Sequence, residues 1–183
     1  MHLVEICKPN FDVELCIAYA TADNFTGYPV YKKPLCYLHP EAATCMQKAI
    51  MLAAPLGLRF KLFDGFRPQE AQETLWAHTP DPEFIADPTL GSNHSRGIAI
   101  DLTLIDMSGN ELDMGTAFDE FTPLSHHAVT KISVEAQQNR LLLLGLMTAA
   151  GWDLYKNEWW HYQLFNTQSY PLLRDGDIGT KMM

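Results

Sequence analysis

This 183-residue sequence lacks long apolar runs and any excess of basic residues. Its longest apolar stretch, residues 141–150, is interrupted by Gly145 and Thr148 and is too short to cross a bilayer. Lys and Arg number 13 against 22 Asp and Glu, which gives a formal net charge of −9. Nucleic-acid binding normally needs a basic stripe, and none is visible. We therefore expect neither a membrane span nor a nucleic-acid partner.

Cysteine is also scarce, with four residues and no C-x-x-C pair, so a metal knuckle built on thiolates is not expected. The first residues lack a basic segment followed by an apolar stretch and a small-residue cleavage site, which predicts a protein that is not exported. We accordingly expect a cytoplasmic protein whose cysteines are reduced thiols. The sequence leaves open whether the chain forms a homo-oligomer.

The hydrophobic pattern predicts a mixture of strands and helices. The expected strands span residues 13–19, 58–63, 98–104, 152–155 and 159–164, and the expected helices span 40–54, 68–78 and 133–150. Because strands and helices do not alternate regularly, we predict an α+β fold. Residues 1–183 are expected to form one domain, in which a small, mainly antiparallel sheet carries the functional site on one face and helices pack against the other.

Two segments together contain the parts of a hydrolytic zinc site. His94 lies in a loop, and Asp101 lies in the strand that follows it. His161 lies in the carboxyl-terminal part of the chain. Two imidazoles and one carboxylate suit zinc and leave a fourth position open for water. Glu158, three residues before His161, could serve as the general base.

Each of these residues alone has an ordinary structural interpretation. A single loop histidine is more often a surface or core residue than a ligand, and Glu158 could be a solvated glutamate before a buried aromatic pair. Residues three apart point to opposite sides of a regular strand, so Glu158 must lie at the mouth of a strand or beside a bulge to approach a metal at His161. Spacing alone therefore does not decide between a metal site and a structural role.

Two motifs, S-x-H-x-x-G-x-A-x-D over Ser92–Asp101 and E-x-W-H over Glu158–His161, resemble those of the zinc D-alanyl-D-alanine dipeptidases. This family includes the vancomycin-resistance dipeptidases and is part of the wider group of zinc D,D-peptidases. Further similar blocks lie at residues 19–27, 64–68, 113–119 and 125–127, so the resemblance covers about residues 13–165. It implies one zinc ion per chain and hydrolysis of the free dipeptide D-Ala-D-Ala to two D-alanines.

The resemblance also implies roles for particular side chains. The metal ligands would be His94, Asp101 and His161, the general base Glu158 and the transition-state cation Arg67, with substrate contacts from Tyr19, Ser92 and Asp119. Of the substrate contacts, Asp119 with help from Tyr19 would pair with the substrate ammonium, and Ser92 would face the carboxylate. His126 and His127 are expected to be loop or supporting residues, since a fourth protein ligand would close the site.

Two alternatives remain beside the dipeptidase. One is a D,D-carboxypeptidase or endopeptidase that acts on cell-wall peptides. The other is a binding domain that keeps zinc for stability and does no catalysis, although such a domain would not need Glu158 or Arg67. The sequence does not distinguish protection against a glycopeptide from recycling of wall dipeptide.

Overall fold

The computed structural model describes residues 2–183, which form a mixed α+β structure with two sheets and four helices. The strands are β1 (Val4–Glu5), β2 (Val13–Leu15), β3 (Tyr37–Leu38), β4 (Leu58–Asp64), β5 (Ala99–Asp106), β6 (Asp153–Leu154) and β7 (His161–Gln163). The helices are α1 (Pro40–Ala53), α2 (Gln69–His78), α3 (Val134–Ala150) and the short α4 (Asp175–Ile178). The predicted α+β class is confirmed.

The main sheet has five strands in the order β2-β4-β5-β7-β6. Only β2 and β4 pair in parallel, and the other three pairings are antiparallel, as predicted. The long central strands β4 and β5 provide the apolar core of the sheet, with Phe60 opposite Leu104 and Leu62 opposite Leu102. All four side chains are fully buried, so truncating one to alanine would cost about 2–5 kcal/mol.

The two long helices begin and end where local chemistry satisfies their backbone groups. Helix α1 has Pro40 in its first turn, and the His39 ring accepts the Glu41 N–H. At the start of α3 the Ser133 hydroxyl accepts the Ala136 N–H, and Gly151 ends the helix at φ 107°. The helices pack against each other, α1 also contacts β4 and α3 contacts β6. Among residues 2–183 no helix is both long and apolar enough to span a membrane.

Three predicted strands are shorter in the structure, and the differences bear on the site. The strand predicted at residues 13–19 is β2, which ends at Leu15. Tyr19 lies in a 3-10 turn, Ala18–Ala20, because its carbonyl accepts the N–H groups of both Val30 and Tyr31. The closing pair is reduced to β6 and β7, which leaves residues 155–160 as a turn. Glu158 lies in this turn, before β7 begins, and this position removes the geometric conflict with His161.

Candidate metal centre and active site

The register of the main sheet aligns three functional side chains in one row. Asp64 on β4 lies opposite Asp101 on β5, and Asp101 lies opposite His161 on β7. The pairing of β4 with β5 shifts by one residue between Leu62 and Asp64, a bulge that brings Asp64 into this row. His94 reaches the same place from the 3-10 turn His94–Arg96, which ends at Gly97 with φ 71° and leads into β5.

His94, Asp101 and His161 form a tight buried cluster with ligand geometry. Nε2 of His94 lies 3.1 Å from Nδ1 of His161 and 3.3 Å from Oδ2 of Asp101. Nδ1 of His161 lies 3.1 Å from Oδ1 of Asp101. The three candidate ligand atoms are all within 4.8 Å of one another. The structure thus brings together the three residues predicted to bind the metal.

Neighbouring carbonyl oxygens hold the outer nitrogen of each imidazole. His94 Nδ1 donates to the Gly65 carbonyl at 2.8 Å, and His161 Nε2 donates to Gln163 Oε1 at 3.1 Å. In the neutral form of each imidazole, the nitrogen that faces Asp101 is then the one without a proton, as metal binding requires. Two lone pairs and a carboxylate crowded in a buried site repel one another unless a cation lies among them. The donor set fits a divalent metal such as zinc.

Arg67 lies beside this cluster and is held in place by two side chains. Its Nε donates to Asp64 Oδ2 at 2.8 Å and its Nη1 donates to Gln72 Oε1 at 3.0 Å. Nη2 lies 3.6 Å from Oδ2 of Asp101, on the side of the candidate metal ligands. The guanidinium also lies over the Tyr19 ring, 4.9 Å from its centroid. A buried, oriented cation is thus available at the centre of the site.

Tyr19 and Asp119 lie next to Arg67 in the same pocket. The Tyr19 hydroxyl donates to Asp119 Oδ2 at 2.9 Å. Asp119 has φ 58°, in the left-handed region that a non-glycine residue seldom adopts, so the surrounding loop fixes its backbone. Burial, together with the nearby Asp101 carboxylate, raises the pKa of Asp119 to about 8. A buried carboxylate in this environment gains most from a cationic partner.

Glu158 approaches the cluster from the turn before β7. Its Oε2 lies 3.8 Å from Nδ1 of His161, close to the cluster but farther from His161 than Asp101 is. Burial, and then the carboxylates of Asp101 and Asp119, raise the pKa of Glu158 well above the ordinary value. A carboxylate with a raised pKa is suited to accept and return a proton near neutral pH.

The predicted site residues line one pocket of about 180 Å³. Every one of the eight side chains singled out from the sequence lines it, namely Tyr19, Arg67, Ser92, His94, Asp101, Asp119, Glu158 and His161. Drug-sized ligands usually occupy roughly 300–1,000 Å³, so this pocket suits a smaller molecule. The Ser92 hydroxyl accepts the His94 N–H at 3.2 Å and lies beside the proposed ligands.

The segment 82–86 closes one side of the pocket. The Tyr155 hydroxyl donates to the Glu83 carbonyl at 2.8 Å, and Nε2 of His126 lies 3.3 Å from Oε1 of Glu83. The Phe84 ring stacks on Phe121 with centroids 4.9 Å apart. His126 thus lies at the rim and is not part of the His94–Asp101–His161 cluster.

Four polar residues at the site were not singled out from the sequence. Asp64 and Gln72 orient Arg67, whereas Asn93 and Gln163 form a pair whose Gln163 oxygen also accepts from His161. Asp64 could have been noticed as an acidic residue at the end of a buried strand. Gln72 is a polar residue among buried positions of α2, an unusual place for an amide without a partner.

Comparison with known proteins identifies the family. The family model for D-ala-D-ala dipeptidases, within peptidase family M15, matches residues 2–174. The chain belongs to this family. It is 48% identical over 173 residues to the D-alanyl-D-alanine dipeptidase of Escherichia coli strain K12, covering 94% of this chain and 90% of that protein. This assignment confirms the predicted class, a metallopeptidase of the D-Ala-D-Ala dipeptidase type.

Other known proteins match this chain at lower identity. The D-alanyl-D-alanine dipeptidase of Enterococcus faecium is 38% identical over 174 residues, covering 84% of this chain and 86% of that protein. A crystal structure of a mutant of the vancomycin resistance D,D-pentapeptidase VanY in complex with Zn(II) has a TM-score of 0.46 and 16% identity, with 73% of this chain and 75% of that chain covered.

Proposed function

We propose that this protein is a zinc-dependent dipeptidase that hydrolyses free D-alanyl-D-alanine to two D-alanines. The observation that carries the proposal is the pocket itself, where a His-Asp-His cluster, a buried glutamate, an oriented arginine and a buried aspartate converge in about 180 Å³. Family membership supports the same substrate, because the relatives are named for this dipeptide.

His94, Asp101 and His161 would hold one zinc ion per chain. When bound, the ion supplies Lewis acidity to the scissile carbonyl and lowers the pKa of a water molecule at the site. Two neutral imidazoles and one carboxylate leave an open position, in keeping with a catalytic rather than a structural site. The buried surroundings strengthen the electrostatic contacts within the site.

Glu158 acts as the general base. It takes a proton from the attacking water and later delivers that proton to the departing amine of the second D-alanine. Its buried position beside the cluster, which raises its pKa, suits a group that takes up a proton and returns it.

Arg67 stabilises the negative oxygen that develops as the carbonyl becomes tetrahedral. Its Nε and Nη1 are already bonded to Asp64 and Gln72, so the guanidinium needs no reorganisation during the reaction. Preorganised donors of this kind stabilise the transition state more than the ground state.

Asp119 pairs with the substrate ammonium, and the Tyr19 hydroxyl holds its carboxylate in position. Ser92, on the ligand loop, faces the substrate carboxylate together with backbone donors. A group attached to the substrate nitrogen would remove its charge and leave Asp119 without a partner. This arrangement favours a free dipeptide over a longer peptide.

The deciding experiment compares kcat/KM for free D-Ala-D-Ala and N-acetyl-D-Ala-D-Ala. We expect efficient cleavage of the free dipeptide and very poor cleavage of the acetylated one, since an unmatched buried polar partner costs about 1–3 kcal/mol and more when charged. Asp119→Asn should narrow the difference by slowing turnover of the free dipeptide. Comparable values in the wild-type protein would favour the D,D-carboxypeptidase alternative, and no hydrolysis by the zinc-loaded protein would favour a binding domain.

A further inference from the structure

Arg140, on α3, is a buried arginine whose acceptors are all neutral. Its Nε donates to the Met114 carbonyl at 2.6 Å. Its Nη1 donates to the carbonyls of Leu124 at 2.9 Å and His126 at 3.1 Å, and its Nη2 donates to Thr116 Oγ1 at 3.2 Å. Burying a guanidinium without a carboxylate partner is costly, so stability alone does not explain this choice of residue.

The acceptors of Arg140 lie at both ends of one loop. Met114 and Thr116 are at its start, and Leu124 and His126 are at its end, so the planar fork of the guanidinium ties the ends together. Asp119 lies between these ends and has the unusual φ of 58°. Arg140 thereby fixes the loop that presents Asp119 to the pocket.

The same loop holds the turn that carries Glu158. The Trp159 N–H donates to the Ser125 carbonyl at 3.0 Å, and the Trp159 indole N–H donates to Thr116 Oγ1 at 2.8 Å. On the other side of Glu158, the His127 N–H donates to the Lys156 carbonyl at 2.9 Å. The Arg140 guanidinium also lies over the Trp159 ring, 5.7 Å from its centroid.

We propose that Arg140 is a positioning residue for the hydrolysis described above, and this inference rests on that proposed function. Arg140 does not line the pocket. It acts through the loop. The loop sets the distance between Asp119, which receives the substrate ammonium, and Glu158, which transfers the proton. The candidate metal ligands have further supports of their own, the pairing of β5 with β7 and the Gly65 carbonyl.

The test compares Arg140→Lys and Thr116→Val with the wild-type protein. Arg140→Lys keeps the positive charge but removes the planar guanidinium. Thr116→Val keeps the branched shape but removes the hydroxyl that accepts hydrogen bonds from Arg140 and Trp159. We expect a fall in kcat of about 10- to 100-fold and a raised KM for free D-Ala-D-Ala, because small misplacements of catalytic groups have effects of this size. Zinc content should stay at one ion per chain.

Residue-resolved amide hydrogen exchange provides a readout that does not need activity. In Arg140→Lys the amides of His127 and Trp159 should exchange faster, while those of β5 should be unchanged. If the wild-type protein fails to cleave the dipeptide, the proposed function is wrong, and this exchange measurement still tests the coupling through Arg140. If Arg140→Lys does not fold, Thr116→Val gives the same readouts.

Leu143→Val is the matched control, because Leu143 is fully buried on the same helix and belongs to the apolar core. It should lower the melting temperature without changing kcat, KM or the exchange rates of the His127 and Trp159 amides. Wild-type kinetics and exchange in both Arg140→Lys and Thr116→Val would overturn the proposal. Loss of zinc, or kinetic changes in Leu143→Val as large as those in Arg140→Lys, would also overturn it by showing a general structural effect.

Discussion

Gln163 Oε1 accepts hydrogen bonds from both His161 Nε2, at 3.1 Å, and Asn93 Nδ2, at 2.6 Å. The amide oxygen therefore fixes which nitrogen of His161 carries its proton, and Asn93 fixes the orientation of the amide. Asn93 immediately precedes His94, so one pair of side chains links the loop of one candidate ligand to the strand of another. Outer partners of this kind tune the affinity of a metal site.

Replacing Gln163 should weaken metal binding without removing a ligand. We expect Gln163→Leu to lower zinc affinity about 10- to 100-fold, because His161 would lose the acceptor that orients it. Gln163→Glu, which retains the acceptor, should bind zinc nearly as well as the wild-type protein. Competition titrations with a zinc chelator measure both variants, and equal affinities for all three proteins would contradict this role of Gln163.

Replacing His161 by alanine should abolish stoichiometric zinc binding, since one of three ligands is lost. Binding to the wild-type protein should also weaken in acid, because the imidazoles must be unprotonated to bind. Metal analysis of purified protein checks the stoichiometry. A fully loaded His161→Ala protein that retains activity would exclude His161 as a ligand.

Glu158→Gln should keep the metal and lose catalysis. A general base usually contributes about 10²–10⁴-fold, and kcat should fall by at least that factor. Zinc content and kcat are measured on the same preparation. Loss of zinc would instead assign Glu158 to the metal ligands.

Arg67→Lys should lower kcat much more than it raises KM, because Arg67 is assigned to the transition state. A lysine has a single ammonium on a flexible chain in place of the planar fork that bonds Asp64 and Gln72, so its charge would be less well directed. Steady-state kinetics on the free dipeptide distinguish the two parameters. An effect confined to KM would move Arg67 to substrate binding.

His127 should make the folded state sensitive to mild acid. Burial and the Arg140 guanidinium lower the pKa of His127 from 6.5 to about 4. The unfolded chain takes up this proton first, so the contribution of His127 to stability is complete above pH 6.5 and is lost as the pH falls from 6.5 towards 4. Urea unfolding at several pH values should show that the free energy of unfolding falls less across this range in His127→Asn than in the wild-type protein. Parallel pH profiles would contradict the assignment.

The candidate ligands could be named because their residue types suggest a metal site and the resemblance to the zinc D-alanyl-D-alanine dipeptidases favours that interpretation over a structural one. The sequence also correctly required Glu158 to lie before a strand, at a position that the turn at residues 155–160 provides. Tyr19 was assigned to the wrong element, because the alternation of apolar residues continues past Leu15 although the strand does not. The Tyr19 carbonyl accepts the N–H groups of Val30 and Tyr31, and these hydrogen bonds decide that turn. Period-two alternation contains no information about them.

The supporting residues were not predictable for a related reason. Asn93 and Gln163 are 70 positions apart, and Arg140 bonds to residues 14 to 26 positions away. Such pairs depend on how separate elements are brought together, which no local pattern specifies. The pocket residues of the family motifs could be named in advance, whereas the side chains that hold them became apparent only in the folded structure.

The bulge in β4 makes the geometry of the active site depend on the number of residues in this strand. At this point two residues of β4 oppose one residue of β5. Phe63 stacks on Phe118, with centroids 4.6 Å apart, next to Asp119, while Asp64 bonds Arg67. The bulge thus contacts the loop of Asp119 through Phe63 and contacts Arg67 through Asp64. Deletion of Phe63 would remove the ring that packs on Phe118 beside Asp119, so this point of the strand is constrained in residue number as well as residue type.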